Sequence, residues 1–184
     1  EQVHLAVGVR ALSRSDPDRV ALAVANQALG GGLSSRLFQE IRERRGLTYS
    51  VYSDATAWSD AGALVVYAAT APARAAEVLG LLHAELDRLA SGGISSRELE
   101  VAVGGLAGAT VLGLEDSGSR MARIGKALLV DGAVLDLDEL VARFVAVTTD
   151  DVARVVQRVL GSGERTVAVI GPIAKRDLLA RRAA

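Results

Sequence analysis

Apolar and polar residues alternate at the start of the chain, with Val3, Leu5, Val7 and Val9 on one side and His4, Ala6, Gly8 and Arg10 on the other. A period of two predicts a half-buried strand. The mostly small second face predicts a surface that something approaches closely. Ser15-Asp16-Pro17 then reads as a helix start, with a capping side chain and a proline in the first turn. Val20, Val24 and Ala28, with Leu22 and Leu29 beside them, give this helix an apolar stripe, and Gly30-Gly31-Gly32 ends it. Ser34 or Ser35 caps a second short helix that runs to about Arg44 and buries Leu37, Phe38 and Ile41. Gly46 breaks that helix, and Thr48 to Ala57 and Ala63 to Ala71 read as an antiparallel hairpin turning at Asp60-Ala61-Gly62.

Helical periodicity takes over from Pro72, with Val78, Leu82, Leu86 and Leu89 on one side up to Gly92-Gly93. Ser95-x-x-Glu98 is a capping box ahead of a long helix through Leu114. Asp116 or Ser117 caps another, in which Met121, Ile124 and Leu128 share a face. Two more helices are expected around Asp138 to Val145 and Asp150 to Leu160. Arg165 to Ile170 is the closing strand, stopped by Gly171-Pro172, and the last ten residues, basic and alanine-rich, read as a frayed helix. The strands are too few and too unevenly spaced for a repeating βα barrel or a doubly wound sheet. The order predicts an α+β, two-layer fold: a small mixed, mostly antiparallel sheet with helices packed on one face, in a single domain spanning residues 1–184.

Composition narrows the function. Half of the 184 residues are apolar and 23% are charged, which excludes a disordered chain. The formal charge is -1 and the pI about 6.2, so neither nucleic acid nor an anionic membrane is expected as a partner. The longest uncharged apolar run, Val101 to Leu114, is 14 residues, against about 20 for a membrane span. No cysteine is present, which removes disulfides, thiolate metal sites and a cysteine nucleophile, and His4 and His83 are the only histidines. The chain begins Glu-Gln-Val-His, with neither an initiator methionine nor an export signal. It is therefore expected to be a piece of a longer polypeptide or a processed product, with the cytoplasm as default compartment. Arginine outnumbers lysine nineteen to two, the usage of a GC-rich bacterial source.

Most motifs have a plain structural reading. Gly30–Gly32 follows a helix and lacks the Lys-Ser or Lys-Thr of a phosphate loop, so it reads as a tight corner. Gly104, Gly105, Gly108 and Gly113 lie inside a predicted helix, where each costs about 1 kcal/mol against alanine, and close packing is their expected reason. His83 has no second histidine at helical spacing and reads as a structural residue; His4 is given no role. Ser34, Ser35 and Ser119 have capping explanations and no histidine base nearby. The remaining stretch holds Arg36, Arg42, Arg44 and Arg45 with Tyr49 and Tyr52. Strand alternation sends the two tyrosines to opposite faces, and a tight turn at Gly46 can carry the Arg42 guanidinium towards the Tyr49 hydroxyl. Such a pair of donors suits a peptide carbonyl or a developing oxyanion. Spacing alone favours a solvated arginine cluster beside a half-buried tyrosine.

The same stretch, GGGLSSRLFQEIRERRGLTYSVYS, resembles the second-domain signature of the pitrilysin/insulinase family of zinc metallopeptidases, which includes the mitochondrial processing peptidases. The likeness extends through VHLAVGVRALSRSDPDRVALAVANQALGGG, LEDSGSRMARIGKALL and TVAVIGP. The resemblance implies two homologous halves facing each other across a chamber, the first carrying zinc on an inverted H-x-x-E-H motif plus a downstream glutamate. The second half contributes an arginine and a tyrosine in the pattern R-x-x-x-x-x-x-Y, which falls here on Arg42 and Tyr49. It implies that Arg42 contacts the substrate carbonyl and that Tyr49 donates to the oxyanion, while Arg44 and Arg45 carry no chemistry. By this likeness the chain is the non-metal C-terminal half of a zinc metalloendopeptidase, inactive alone. It holds no cofactor itself, zinc belonging to the N-terminal half, and its partners are that half and peptide substrates, with a homodimer as a further arrangement. The alternative within the family is a non-catalytic scaffold subunit that pairs with a separate zinc-bearing chain.

Overall fold

The computed structural model describes residues 1–174; the basic terminus expected to be helical lies outside them. Four strands, β1 (Val3–Ala11), β2 (Ser50–Ala57), β3 (Gly62–Thr70) and β4 (Thr166–Ile170), form one sheet in the order β2-β3-β1-β4. Every pairing among the described residues is antiparallel, for example Leu5 opposite Ala68 on one side and Val169 on the other, so the sheet expected to be mixed and mostly antiparallel is wholly antiparallel there. Among the described residues there are six α-helices: α1 (Arg19–Gly30), α2 (Ala75–Gly92), α3 (Ser96–Gly113), α4 (Ser117–Asp131), α5 (Leu137–Val145) and α6 (Thr149–Leu160). Among the described residues, no helix is long and apolar enough to cross a membrane.

The period of two in β1 makes the sheet two-faced. Val3, Leu5 and Val7 are buried, as are Leu64, Val66 and Ala68 of β3 and Val51 of β2. These side chains meet Leu22, Val24 and Leu29 of α1, Val78, Leu82 and Leu86 of α2, and Val152, Val155 and Val156 of α6 in one cluster. A fully buried aliphatic side chain contributes about 1.5–3 kcal/mol by transfer alone, so this layer holds the fold. On the other face, Ala6 and Gly8 lie beside Tyr52, Tyr67 and His4.

Caps set most helix starts. The predicted box is formed, with Ser95 Oγ accepting from the Glu98 N–H and the Glu98 carboxylate accepting from the Ser95 N–H. A second box, Thr148 with Asp151, opens α6. The first helix differs from expectation and starts at Arg19. Asp16 accepts from the Asp18 N–H at 2.9 Å and from Arg158 of α6 at 2.6 Å, so its carboxylate closes a local turn and braces α6 instead of capping a helix at Pro17. The long-helix glycines also depart from expectation. A methyl group at Gly104, Gly108 or Gly113 would meet nothing within 4 Å, and only Gly105 approaches a neighbour, Gln27 Nε2 at 3.1 Å. The close approach lies at Gly30, where an added Cβ would press on the backbone nitrogen of Ser53, so α1 sits directly on β2.

Among the described residues α4 buries none of its side chains: Met121 is 71% exposed and Leu129 88%. Asp131 at its end is gripped by Arg14 through two hydrogen bonds of 2.8 and 2.7 Å.

Candidate functional site

The arginine- and tyrosine-bearing stretch begins with a short helix over residues 36–43, whose last six residues, Phe38–Glu43, are π-helical. Leu37 and Ile41 are fully buried and fix this helix to the core, while Phe38, expected to be buried with them, is half-exposed. The Arg44 N–H donates to Gln39 O with the five-residue spacing of a π-helix, and the turn then closes as Gly46 N–H donates to Arg42 O and Leu47 N–H to Ile41 O, all at 3.0 Å. Gly46 takes φ +63°, the left-handed conformation that lets the chain reverse there.

The residues after the turn are clamped to the end of β3. Thr48 Oγ1 donates to Ala69 O and, at 2.8 Å, to Ser50 O, and Thr70 Oγ1 donates to Leu47 O at 2.6 Å. Both threonines are buried, at 6% and 2% exposure. Because Thr48 spends its side chain on the neighbouring strand, β2 starts at Ser50 and Tyr49 falls outside it. Tyr49 is 84% exposed. Tyr52 is also exposed and stacks on its cross-strand partner Tyr67, ring centroids 4.9 Å apart. Neither tyrosine therefore lies on the helix-covered side, where alternation from Thr48 would put one.

The four arginines divide sharply. Arg36 binds Glu98 through two contacts of 2.5 and 2.9 Å and donates to Gly93 O at 2.8 Å, tying the helix to α3. Arg44 and Arg45 both hold Glu40. Arg42 has no carboxylate among the described residues; its guanidinium lies 4.8 Å above the Phe38 ring. Arg42 and Tyr49 do not hydrogen-bond to each other. They flank the Gly46 turn as an unpaired cation and an exposed phenol, each with its donors available.

The Arg36–Glu98 pair also sets an acid sensitivity. The Arg36 guanidinium, helped by the Ser95 N–H and hydroxyl, holds the Glu98 carboxyl down to about 2, against about 4.3 for a free glutamate. A lowered folded-state value means that this stabilisation is full above about pH 4.3 and is lost as pH falls towards 2. Solvent screening reduces it, so Glu98→Gln is expected to cost roughly 1–2 kcal/mol near neutrality. Urea melts across the acid range should show the parent's stability falling more steeply than the variant's between about pH 4 and 2, because Asp16, Glu40, Asp131 and Asp151 are held low in both and only the Glu98 share is lost.

Two residues given little weight from sequence acquire defined contacts. His4 Nδ1 lies 2.6 Å from the Tyr67 hydroxyl on the open sheet face. His83, read as structural, lies 3.2 Å from Arg165 Nη1, and Arg165, whose side chain is 7% exposed, continues to Asp87 at 2.6 Å. The two histidines thus belong to different networks. Among the described residues no group of three or more histidine, cysteine, aspartate or glutamate side chains could hold a metal ion. The donor set does not fit zinc.

Residues 1–106 match the model of the family described as the peptidase M16 inactive domain. The chain belongs to that family. An uncharacterised zinc protease of Streptomyces coelicolor is 48% identical over 173 residues, covering 94% of this chain and 38% of the relative. One from Mycobacterium leprae is 44% identical over 182 residues, covering 99% of this chain and 41% of the relative. This M16 inactive domain therefore spans about two-fifths of the length of these relatives. Among solved structures, the peptidase M16 inactive domain from Pseudomonas fluorescens superposes with a TM-score of 0.84 at 26% identity, covering 94% of this chain and 41% of that one. A protease from Helicobacter pylori shares the fold at a TM-score of 0.82 and 24% identity, covering 93% and 41%. The two-layer α+β architecture and the resemblance to the pitrilysin and insulinase peptidases are both borne out.

Proposed function

We propose that this M16 inactive domain is the substrate-holding half of a zinc-dependent metalloendopeptidase, completing an active site whose metal is bound by a companion half. Arg42 would contact a substrate carbonyl, and the Tyr49 phenol would donate to the carbonyl oxygen as it gains charge at the scissile bond. Such a donor helps most when it is fixed before reaction and aimed where charge develops. The observation that carries the reading is the pairing pattern: Arg36, Arg44 and Arg45 are spent on carboxylates, whereas Arg42 and Tyr49 keep their donors free on either side of a braced turn. The exposed apolar side chains of α4 further support a companion half, since such surface is usually covered in the working protein.

The test compares two proteins on a quenched-fluorescence peptide mixture. The full-length parent, whose companion half is expected to carry H-x-x-E-H, should hydrolyse peptides and lose activity on chelation; the present chain alone should give no turnover. An eroded motif in the companion half and an inactive parent would decide for a scaffold subunit.

A further inference from the structure

A cavity of about 490 Å³ opens between α4, α5 and the connection from β1 to α1, well separated in sequence from the Gly46 turn. Its wall carries Arg14, Arg19, Arg123, Lys126 and Arg143 against one carboxylate, Asp131. Arg14 is committed to Asp131 by a two-point contact, Arg143 to Glu139 at 2.7 Å, and Arg123 to the Leu135 carbonyl at 2.6 Å. The Arg19 guanidinium and the Lys126 ammonium have no hydrogen bond or ion pair among the described residues. Both nevertheless approach Asp131: the Arg14 hydrogen bond first, then the charges of Arg14, Arg19 and Lys126, hold its carboxyl below the ordinary range.

Five cations against Asp131 and Glu139 leave three positive charges in excess, in a chain whose net charge is -1. Like charges gathered in a recess raise the local potential and attract an anion. Asp136, at the start of α5, turns its carboxylate to the Leu137 N–H at 2.6 Å. Ala127, Leu135 and Leu140 complete the lining with apolar surface. The volume lies within the usual range of about 300–1,000 Å³ for ligand pockets, which combine apolar lining with a few placed polar groups.

We propose that this cleft binds an acidic peptide segment, its carboxylates meeting Arg19 and Lys126 and the adjoining carbon side chains lying on Leu135 and Leu140. A bare inorganic anion would satisfy the cations and leave the apolar lining uncovered, so the combination selects a peptide. The inference stands apart from the roles given to Arg42 and Tyr49, and its test needs only the present chain.

The experiment is fluorescence anisotropy of a labelled peptide of alternating glutamate and leucine, at low ionic strength, beside its glutamine analogue. The glutamate peptide is expected to bind at least about tenfold more tightly than the analogue, and Arg19→Gln/Lys126→Gln to weaken it by at least about tenfold. The charge-retaining Arg19→Lys/Lys126→Arg variant should stay within about threefold, which separates loss of charge from loss of fold. Equal binding of the glutamine analogue, or unchanged affinity in the glutamine double variant, would overturn the proposal. So would complete displacement by inorganic phosphate at an ionic strength where chloride displaces nothing, since that marks a simple anion site.

Discussion

Replacing Tyr49 with phenylalanine in the full-length protein is expected to lower kcat by about 10²- to 10³-fold, the usual cost of removing one oxyanion donor. KM should change little, because a neutral carbonyl accepts a weaker hydrogen bond than the oxygen of a tetrahedral intermediate. The ring is 84% exposed and its hydroxyl has no partner among the described residues, so the substitution breaks no internal contact. Stability of the isolated chain should stay within about 0.5 kcal/mol of the parent. Steady-state kinetics on one peptide together with a urea melt read both halves of this expectation. A kcat within a factor of two of the parent would reduce Tyr49 to a surface residue.

Ile41→Ala is expected to cost about 2–5 kcal/mol, the range for removing a fully buried aliphatic side chain. Ile41 is 0% exposed, packs in the main cluster, and its carbonyl accepts the Leu47 N–H that closes the turn before Tyr49. The loss falls on the element that carries Arg42 and is a large fraction of the roughly 5–15 kcal/mol typical of a domain. Denaturant unfolding of the present chain should show a lower midpoint at an unchanged slope. Leu129→Ala, at a residue 88% exposed on α4, should shift stability by less than about 0.5 kcal/mol in the same chain. A loss below about 1 kcal/mol at Ile41 would mean that the short helix is not anchored as described.

Features governed by near neighbours are legible in the amino-acid order itself. The alternation of Val3, Leu5 and Val7, the Ser95–Glu98 box and the reversal at Gly46 depend on residues a few positions apart, and each appears in the fold. What long-range contacts decide is not legible there. The first helix starts late because Asp16 is held by Arg158, 142 residues away. Tyr49 leaves the strand because Thr48 bonds to Ala69, which requires the β2–β3 register. The glycines of α3 read as packing sites because a helix pattern does not reveal which face is covered, and only Gly105 meets a neighbour. Within the arginine cluster, spacing leaves four equivalent cations. The fold spends three on Glu98 and Glu40 and leaves Arg42 apart. The basic cleft escapes a linear reading for the same reason, since Arg14 and Arg19 meet Arg123 and Lys126 only across more than a hundred residues of chain.

Where the Tyr49 phenol sits when the companion half and a peptide are present decides its role. A crystal structure of the full-length protein with a bound, uncleaved peptide measures this directly. The Tyr49 hydroxyl should lie about 2.6–3.2 Å from a substrate carbonyl oxygen, the reach of a hydrogen bond. A Tyr49 ring packed against solvent or against another part of the protein, with a different group bonded to that oxygen, would contradict it.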